Sequence, residues 1–302
     1  MDTLEGMKVF VAVVSERSFT AAAERLGLSK ALVSKYIGQL ESRLGTRLLN
    51  RSTRTLHLTE AGRGYLERCR HILEEIDELE ASLQRGTEEP KGRLLVAAPQ
   101  TFGERFVTDA AAGFLARWPR VSLELHFADR YVNVVEEGFD LAIRIGALED
   151  SALISRPLGS IQLVACAAPA YLASHGTPHA PAELVGHDCV RDRNFRRGGR
   201  WPFSRNGVLE EVDVGGRLVV NGIAASHEAT LAGAGIGLLA CHVIEADLAT
   251  GRLQRVLQEY QSARLPISAV YPHRRYLTAK VQRFVEFLGE RMNTYGLGES
   301  HA

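Results

Sequence analysis

Ser18-Phe19-Thr20-Ala21-Ala22-Ala23-Glu24-Arg25-Leu26-Gly27-Leu28-Ser29-Lys30-Ala31-Leu32-Val33-Ser34-Lys35-Tyr36-Ile37-Gly38-Gln39-Leu40-Glu41-Ser42-Arg43-Leu44-Gly45 is the stretch on which the fold turns. Ser18 caps a short alanine-rich helix, Thr20 to Leu26, because a serine hydroxyl satisfies one of the orphan amides of a first turn. Small side chains at Ala21, Ala22 and Ala23 let a second helix pack closely. Gly27 follows Leu26, where a helix end favours positive φ. Ser29 caps a second helix running to about Arg43. Two helices joined by a turn that contains glycine make a helix-turn-helix.

The phase of the second helix carries the function. Val33, Ile37, Leu40 and Leu44 form its expected buried stripe. Lys30, Ala31, Ser34, Lys35 and Gly38 fall on the opposite face, with Ser29 at the helix start. That face is small, polar and basic, which suits a major groove about 12 Å wide. Ser34 and Lys35 are placed to donate to base edges and Ala31 to meet a thymine methyl. Upstream, Leu4, Met7, Val11 and Val14 read as one stripe of a preceding amphipathic helix. Downstream, 46–58 reads as two short strands around a polar turn, a wing, with Arg51, Thr53 and Arg54 at a tip that meets phosphates or a minor groove.

The chain has 302 residues and a formal net charge of zero, from 36 Lys and Arg against 36 Asp and Glu. The balance is uneven along the chain. Between Leu26 and Leu56 six basic residues face the single acid Glu41, a net of +5. Between Ala61 and Glu89 eight acids outnumber four bases, a net of −4. No apolar run reaches the roughly 18–20 residues needed to span a bilayer. The start, Met1-Asp2-Thr3-Leu4-Glu5, has no secretory pattern. Cys69, Cys166, Cys189 and Cys241 make no CxxC pair and read as free thiols of a reducing cytoplasm.

Residues 1–66 resemble the winged helix-turn-helix of the LysR-type transcriptional regulators. The resemblance is carried by Met7, Phe10, Val14, Ser18 to Leu26, Ser29, Val33-Ser34, Ile37, Leu40-Glu41, Leu44-Gly45, Leu48-Leu49, Arg51, Arg54 and Leu58-Thr59-Glu60-Ala61-Gly62. It is long and ungapped. Two positions depart from the family, which often has Gln where Lys30 stands and Arg where Lys35 stands. Lysine lacks the planar bidentate fork of arginine.

Thr59 caps a further helix. Tyr65, Cys69, Ile72, Ile76, Leu79 and Leu83 alternate spacings of four and three, a heptad seam for a second copy. The acids Glu74, Glu75, Asp77, Glu78 and Glu80 belong to its solvated face. Gly86 to Gly92, with Pro90 inside, reads as a hinge.

From residue 91 the pattern alternates strand and helix. Strands are expected at 93–98, 121–127, 139–145, 162–167, 188–192, 218–220, 237–239 and 267–271. Helices are expected at 103–117, 131–137, 224–231, 242–249 and 277–293. Such a run implies a parallel sheet covered on both faces, with ligands outside the carboxyl ends of its strands. That points to Pro99–Gly103, Gly146–Leu148 and Asn221–Ile223, where the helices starting after Phe102 and Asn221 offer amides to an anion. By position Thr101, Phe102, Arg144 and Asn221 are the cleft candidates. Arg144 is alternatively an ion-pair partner, and Thr101 and Asn221 are alternatively helix caps. Pro99 to Gly103, Gly138 to Gly146 and Gly233 to Leu239 resemble, more weakly, the effector domain of the same family. That resemblance implies two α/β lobes like those of periplasmic binding proteins.

The fold class expected is thus a multi-domain α/β chain. A winged helix-turn-helix (1–58) and a linker and dimerisation helix (59–89) precede an effector domain at 91–302. In that domain lobe I is 91–162 with 268–302, and lobe II is 163–267. The expected partners are double-stranded DNA, an anionic or aromatic small-molecule effector, and further copies of the chain as a dimer of dimers. RNA polymerase is a further one, and no membrane, cofactor or metal is expected. Enzyme signals are weak. Gly233-Ala234-Gly235-Ile236-Gly237 stands between a helix and a strand, the reverse of a dinucleotide loop. His175, His179 and His187 sit in a proline-punctuated loop. Arg191, Arg193, Arg196, Arg197 and Arg200 form either a solvated loop or a rim for an anion. The rival reading, a ligand-binding module or enzyme whose N-terminus only mediates assembly, predicts no preference for particular DNA.

Overall fold

A computed structural model describes residues 2–51, 56–83, 89–148, 153–195, 199–272 and 278–298. They form two units, Met1–Glu88 and Glu89–Ala302. The first contains α1 (Thr3–Glu16), α2 (Phe19–Leu26), α3 (Lys30–Leu44), the strands β1 (Leu49–Arg51) and β2 (Leu56–Leu58), and α4 (Glu60–Leu83). The capping residues act as their chemistry dictates. Ser18 Oγ accepts the Ala21 amide at 3.3 Å, Ser29 Oγ the Leu32 amide at 3.2 Å, and Thr59 Oγ1 the Gly62 amide at 2.9 Å. Gly27 and Gly45 end α2 and α3 in left-handed conformations, φ 66° and 67°. β1 and β2 pair antiparallel with Leu49 opposite Leu58.

The core of this unit buries Val9, Phe10, Val13, Ala22, Ala23, Val33, Ile37, Leu40, Leu48, Leu49 and Cys69. Three expectations change. In α1 the buried positions are Gly6, Val9, Phe10, Ala12 and Val13, a face rotated from the expected stripe. Leu4, Met7, Val11 and Val14 are only partly buried. The cause is that α1 packs on α2, α3 and α4 and is apolar around most of its circumference. In α3 the stripe stops at Leu40, and Leu44, beside the terminal Gly45, is 36% exposed. In α4 the seam begins inside the unit. The Tyr65 ring lies 5.6 Å from Phe10, and Cys69 is fully buried in the same core. Ile72 is exposed and Ile76 half-buried. The wing tip at 52–55, the side chains of Leu79 and Leu83, and residues 86–88 of the hinge lie outside the described residues.

The second unit is built on strands β3 (Gly92–Ala98), β4 (Val121–Phe127), β5 (Leu141–Ile145), β6 (Leu153–Ala167), β7 (Cys189–Asp192), β8 (Arg200–Arg205) and β9 (Val208–Asp213). Further along come β10 (Val219–Val220), β11 (Ile236–Ala240), β12 (Gln254–Arg255), β13 (Gln261–Ser262) and β14 (Arg264–Pro272). Its helices are α5 (Gln100–Phe102), a π turn (Gly103–Val107) leading into α6 (Thr108–Arg117), α7 (Pro169–His175), α8 (Ile223–Leu231), α9 (Cys241–Ala249) and α10 (Ala279–Thr294). β4, β3 and β5 are parallel, while β14 runs antiparallel to both β5 and β6. The long strand β6 then changes partner. It pairs with β14 up to Gln162 and with β11 from Leu163 onward, so it belongs to two sheet regions. β7 and β10 complete the far side in parallel. β13, β8 and β9 form a separate antiparallel sheet, which the sequence pattern did not disclose.

The segment 131–137, expected as a helix, is a set of turns. Asn133 Oδ1 accepts the Val135 and Glu136 amides, and Glu137 Oε1 accepts the Asn133 amide at 2.9 Å. Local side-chain bonds of this kind compete with helix formation. The segment 233–235 is the turn from α8 into β11. Asp140 is buried and accepts the Leu95 amide at 2.9 Å, and the buried Lys280 donates to the Arg93 carbonyl at 2.7 Å.

Gly62 sits where α4 crosses the wing base. A Cβ there would lie 2.0 Å from the Leu48 carbonyl oxygen. Gly62→Ala is therefore expected to cost about 2–3 kcal/mol, in the range of overpacked sites. Urea unfolding of the N-terminal unit within the full chain checks this, and an unchanged midpoint would contradict the crossing geometry.

Candidate functional site

Two sites emerge, one in each unit. On α3, Val33, Ile37 and Leu40 are fully buried, so the opposite face is turned outward. Ser29, Lys30, Ala31 and Lys35 are exposed there, and Ser34 and Gly38 are half-buried. Glu41, the one acid in the basic stretch, is taken up internally. Its Oε1 accepts the Leu48 and Leu49 amides at 2.9 and 3.1 Å. It fastens α3 to the wing and leaves the outward face without an anion. Arg51 belongs to β1, while its side chain, Thr53 and Arg54 lie outside the described residues. A small, basic helix face beside a two-stranded wing is geometry for entering a groove of duplex nucleic acid.

In the second unit a cleft of about 370 Å³ opens where the β3–β5 region meets the β7–β11 region. Thr101, Phe102 and Arg144 line it. Asn221 does not; its carbonyl accepts Asn194 Nδ2 at 2.7 Å, and Asn194 is itself a wall residue. Arg144 lies 3.8 Å over the Tyr131 ring, and it donates to the Tyr131 hydroxyl and, at 3.2 Å, to the Val132 carbonyl. The remaining walls are mainly apolar and include Ile143, Ile161, Leu163, Phe195, Ile223 and Leu238.

Several wall residues were not apparent from the sequence. Asp129 and His242 follow β4 and β11 by two residues, and Asp192 is the last residue of β7. Position at or just past a strand's carboxyl end was the signal that could have found them. Asp129 Oδ1 accepts the Gln100 amide at 3.0 Å, so the helix start expected to receive an anion already holds one from the chain. His242 packs edge-on against Phe102 and Phe106, at 6.3 and 5.2 Å between ring centroids. Both of its ring nitrogens are buried without a partner. Burial first, and the nearby Arg105 cation second, hold its pKa down at about 4. Arg105 also donates to the His242 carbonyl and stands 3.6 Å from Glu245.

The cysteines and the histidine loop serve packing. Burial pushes Cys166 and Cys189 up to about 12 and raises Cys69 and Cys241, so none is an activated thiolate. His175 stacks on Tyr171 at 4.3 Å, and His187 Nδ1 meets the Tyr171 hydroxyl at 3.3 Å. Among the described residues no cluster of three His, Cys, Asp or Glu side chains is arranged to hold a metal, and no helix is long and apolar enough to cross a membrane.

Comparison with known proteins bears on both sites. Residues 4–63 match the family model described as a bacterial regulatory helix-turn-helix protein of the lysR family. Residues 87–293 match the LysR substrate binding domain. A transcriptional repressor of Pseudomonas aeruginosa is 39% identical, over 96% of this chain and 92% of its own. The transcriptional activator AaeR of Escherichia coli is 34% identical, over 95% and 93%. Among solved structures, CrgA of Neisseria meningitidis, a LysR-type regulator, aligns with a TM-score of 0.59 and 33% identity over 97% of this chain and 99% of that one. The virulence activator AphB of Vibrio cholerae aligns with a TM-score of 0.58 and 26% identity over 95% and 98%.

The imidazole gives a pH prediction. With the folded-state pKa near 4 and the ordinary value 6.5, the unfolded chain binds a proton between these limits that the folded chain does not. This contribution to stability is complete above pH 6.5 and is lost as pH falls toward 4. His242→Phe is expected to flatten the fall in urea midpoint across that window. Equal slopes in the two proteins would contradict a buried neutral imidazole.

Proposed function

This chain belongs to the LysR family of bacterial helix-turn-helix transcriptional regulators, and on that premise we propose how its residues divide the work. It is a DNA-binding transcriptional regulator with a substrate-binding effector domain, not an enzyme. In our reading α3 enters the major groove. Ser34 and Lys35 donate to base edges, Ala31 meets a thymine methyl, and Ser29 and Lys30 hold the helix start near the backbone. Arg51, Thr53 and Arg54 of the wing contact phosphates or the adjacent minor groove. Residues 1–58 act as the DNA-binding domain and 59–89 as the linker that pairs two copies. Residues 91–302 act as the effector domain, and the working assembly is a dimer of dimers in the cytoplasm.

The observation that carries this reading is the outward face of α3. It is exposed, small and basic, and its one nearby acid is turned inward to the Leu48 and Leu49 amides. For the second domain, Thr101, Phe102 and Arg144 contact the effector, and Asn221 acts through its hold on Asn194. Of the two descriptions of the effector, anionic or aromatic, the walls favour the aromatic one, since Phe102, Phe195, Ile161 and Leu163 offer an apolar bed. An effector shifts the regulator between states in proportion to its differential affinity for them.

Gel-shift titration over salt tests the DNA reading. The full chain should prefer its own upstream DNA to random duplex, with affinity falling steeply as salt rises. Lys35→Ala should weaken binding several-fold and reduce the log–log salt slope by about 1 if Lys35 neutralises a phosphate. If it instead reads a base edge, the loss falls on preferred DNA alone. Equal affinity for upstream and random duplex would contradict the proposal.

A further inference from the structure

The charges of the cleft do not suit an anion. Asp129 reaches the start of α5 from the β4 side, where its Oδ1 accepts the Gln100 amide. Its other oxygen touches the start of α8 in the opposite lobe: a Cβ on Gly222 would lie 2.6 Å from Asp129 Oδ2. The chain's own carboxylate thus occupies the place between two helix starts that a ligand carboxylate would seek. Asp192, at the end of β7 in the second lobe, lines the same cleft. Its Oδ1 accepts the Asn194 amide at 2.9 Å. Burial, and then the Asp129 charge, push its carboxyl above the ordinary value.

Among the described residues neither carboxylate has an ion-pair partner. The cations on the walls are placed otherwise. Arg130 is bidentate to Glu137, Arg144 is spread over Tyr131 and the Val132 carbonyl, and Arg193 is exposed at the rim, where solvent screens it. His242 is uncharged and presents two unpartnered nitrogens.

We propose that the effector of this cleft is a small apolar molecule carrying a protonated amine, with the ammonium between Asp129 and Asp192 and the apolar body against Phe102, Ile161, Leu163 and Phe195. This rests on the reading of the cleft as the effector site. It also supplies the switch. Asp129 belongs to one lobe and Asp192 to the other, so their repulsion opposes closure until a cation lies between them. An ammonium binds the closed state better than the open one, which is the differential affinity a conformational effector needs. A buried ammonium also supplies a counter-charge to two carboxylates that, among the described residues, hold backbone amides and no cation.

The test uses the full chain and three probes on one body, 2-phenylethylamine, 2-phenylethanol and phenylacetate, read by thermal shift and calorimetry. The set is repeated on indolyl and linear alkyl bodies. The amine is expected to bind about tenfold or more tighter than the matched carboxylate, as a charge-assisted contact implies. Asp192→Asn keeps an acceptor for the Asn194 amide and should cost the amine about tenfold while leaving the alcohol unchanged. Asp129→Asn, which keeps an acceptor for Gln100, should do the same and serves if the first variant is unstable to urea. Tighter binding of the carboxylates, or an amine affinity unmoved by both substitutions, overturns the proposal while leaving the cleft as the effector site. If no head group on any body shifts the melt, both this proposal and the effector reading of the cleft fall.

Discussion

The peptide group of Leu48 is the point through which the DNA-reading unit is assembled. Its amide donates to Glu41 Oε1 of α3, and its carbonyl accepts the Thr59 amide at 3.0 Å and the Thr59 hydroxyl at 3.2 Å. Gly62 passes so close to the same carbonyl that no side chain fits. The Leu48 side chain, buried in the core, anchors the whole from inside. The helix α3, the β1–β2 wing and α4 therefore share one rigid reference. The placement of the wing on α3 is set by the Glu41 carboxylate, which accepts the Leu48 and Leu49 amides. This also explains why an acid can stand inside a basic stretch: Glu41 spends its charge on two amides, where such bonds are strong.

The effector domain has a comparable constraint in β6. One strand serves two sheet regions, changing partner between Gln162 and Leu163, and β14 runs beside it up to Arg264. The two lobes are joined by continuous backbone at this seam, so what varies between them is the contact across the cleft. Contacts across it include Arg105 to His242 and Glu245, Phe102 and Phe106 to His242, and Asp129 to the start of α8. A ligand moves such an equilibrium only by its differential affinity for the two states.

Much of the fold was legible where local chemistry decides. The serines and threonine that cap, the glycines that end helices, and the alternation of β4 all left short-range signals that tertiary context did not override. The failures lie where context decides. α1 is surrounded by three helices, so its apolar residues do not mark one face and the expected stripe lies rotated from the buried one. The segment 131–137 has helical spacing, yet Asn133 and Glu137 close a turn first. The β8–β9 hairpin has exposed Val208 and Leu209 at its far end, which breaks the in–out alternation by which a strand is recognised. In the cleft, Thr101, Phe102 and Arg144 were reachable by position. Asp129 and Asp192 lay at equally legible positions, but that the two carboxylates share one cleft is decided by the fold and not by either local sequence. The whole-chain charge of zero concealed the same lesson on a larger scale, since it sums a +5 stretch and a −4 stretch that lie in different parts of the chain.

The central claim is that the outward face of α3 reads sequence. Selection of bound duplexes from a random DNA library, with the full chain and with Ser34→Ala and Lys35→Ala variants, tests it most directly. The account predicts enrichment of a two-fold related motif, with base preferences that change at the same positions in both half-sites when Ser34 or Lys35 is replaced. No enriched motif, or one identical in all three proteins, would contradict it.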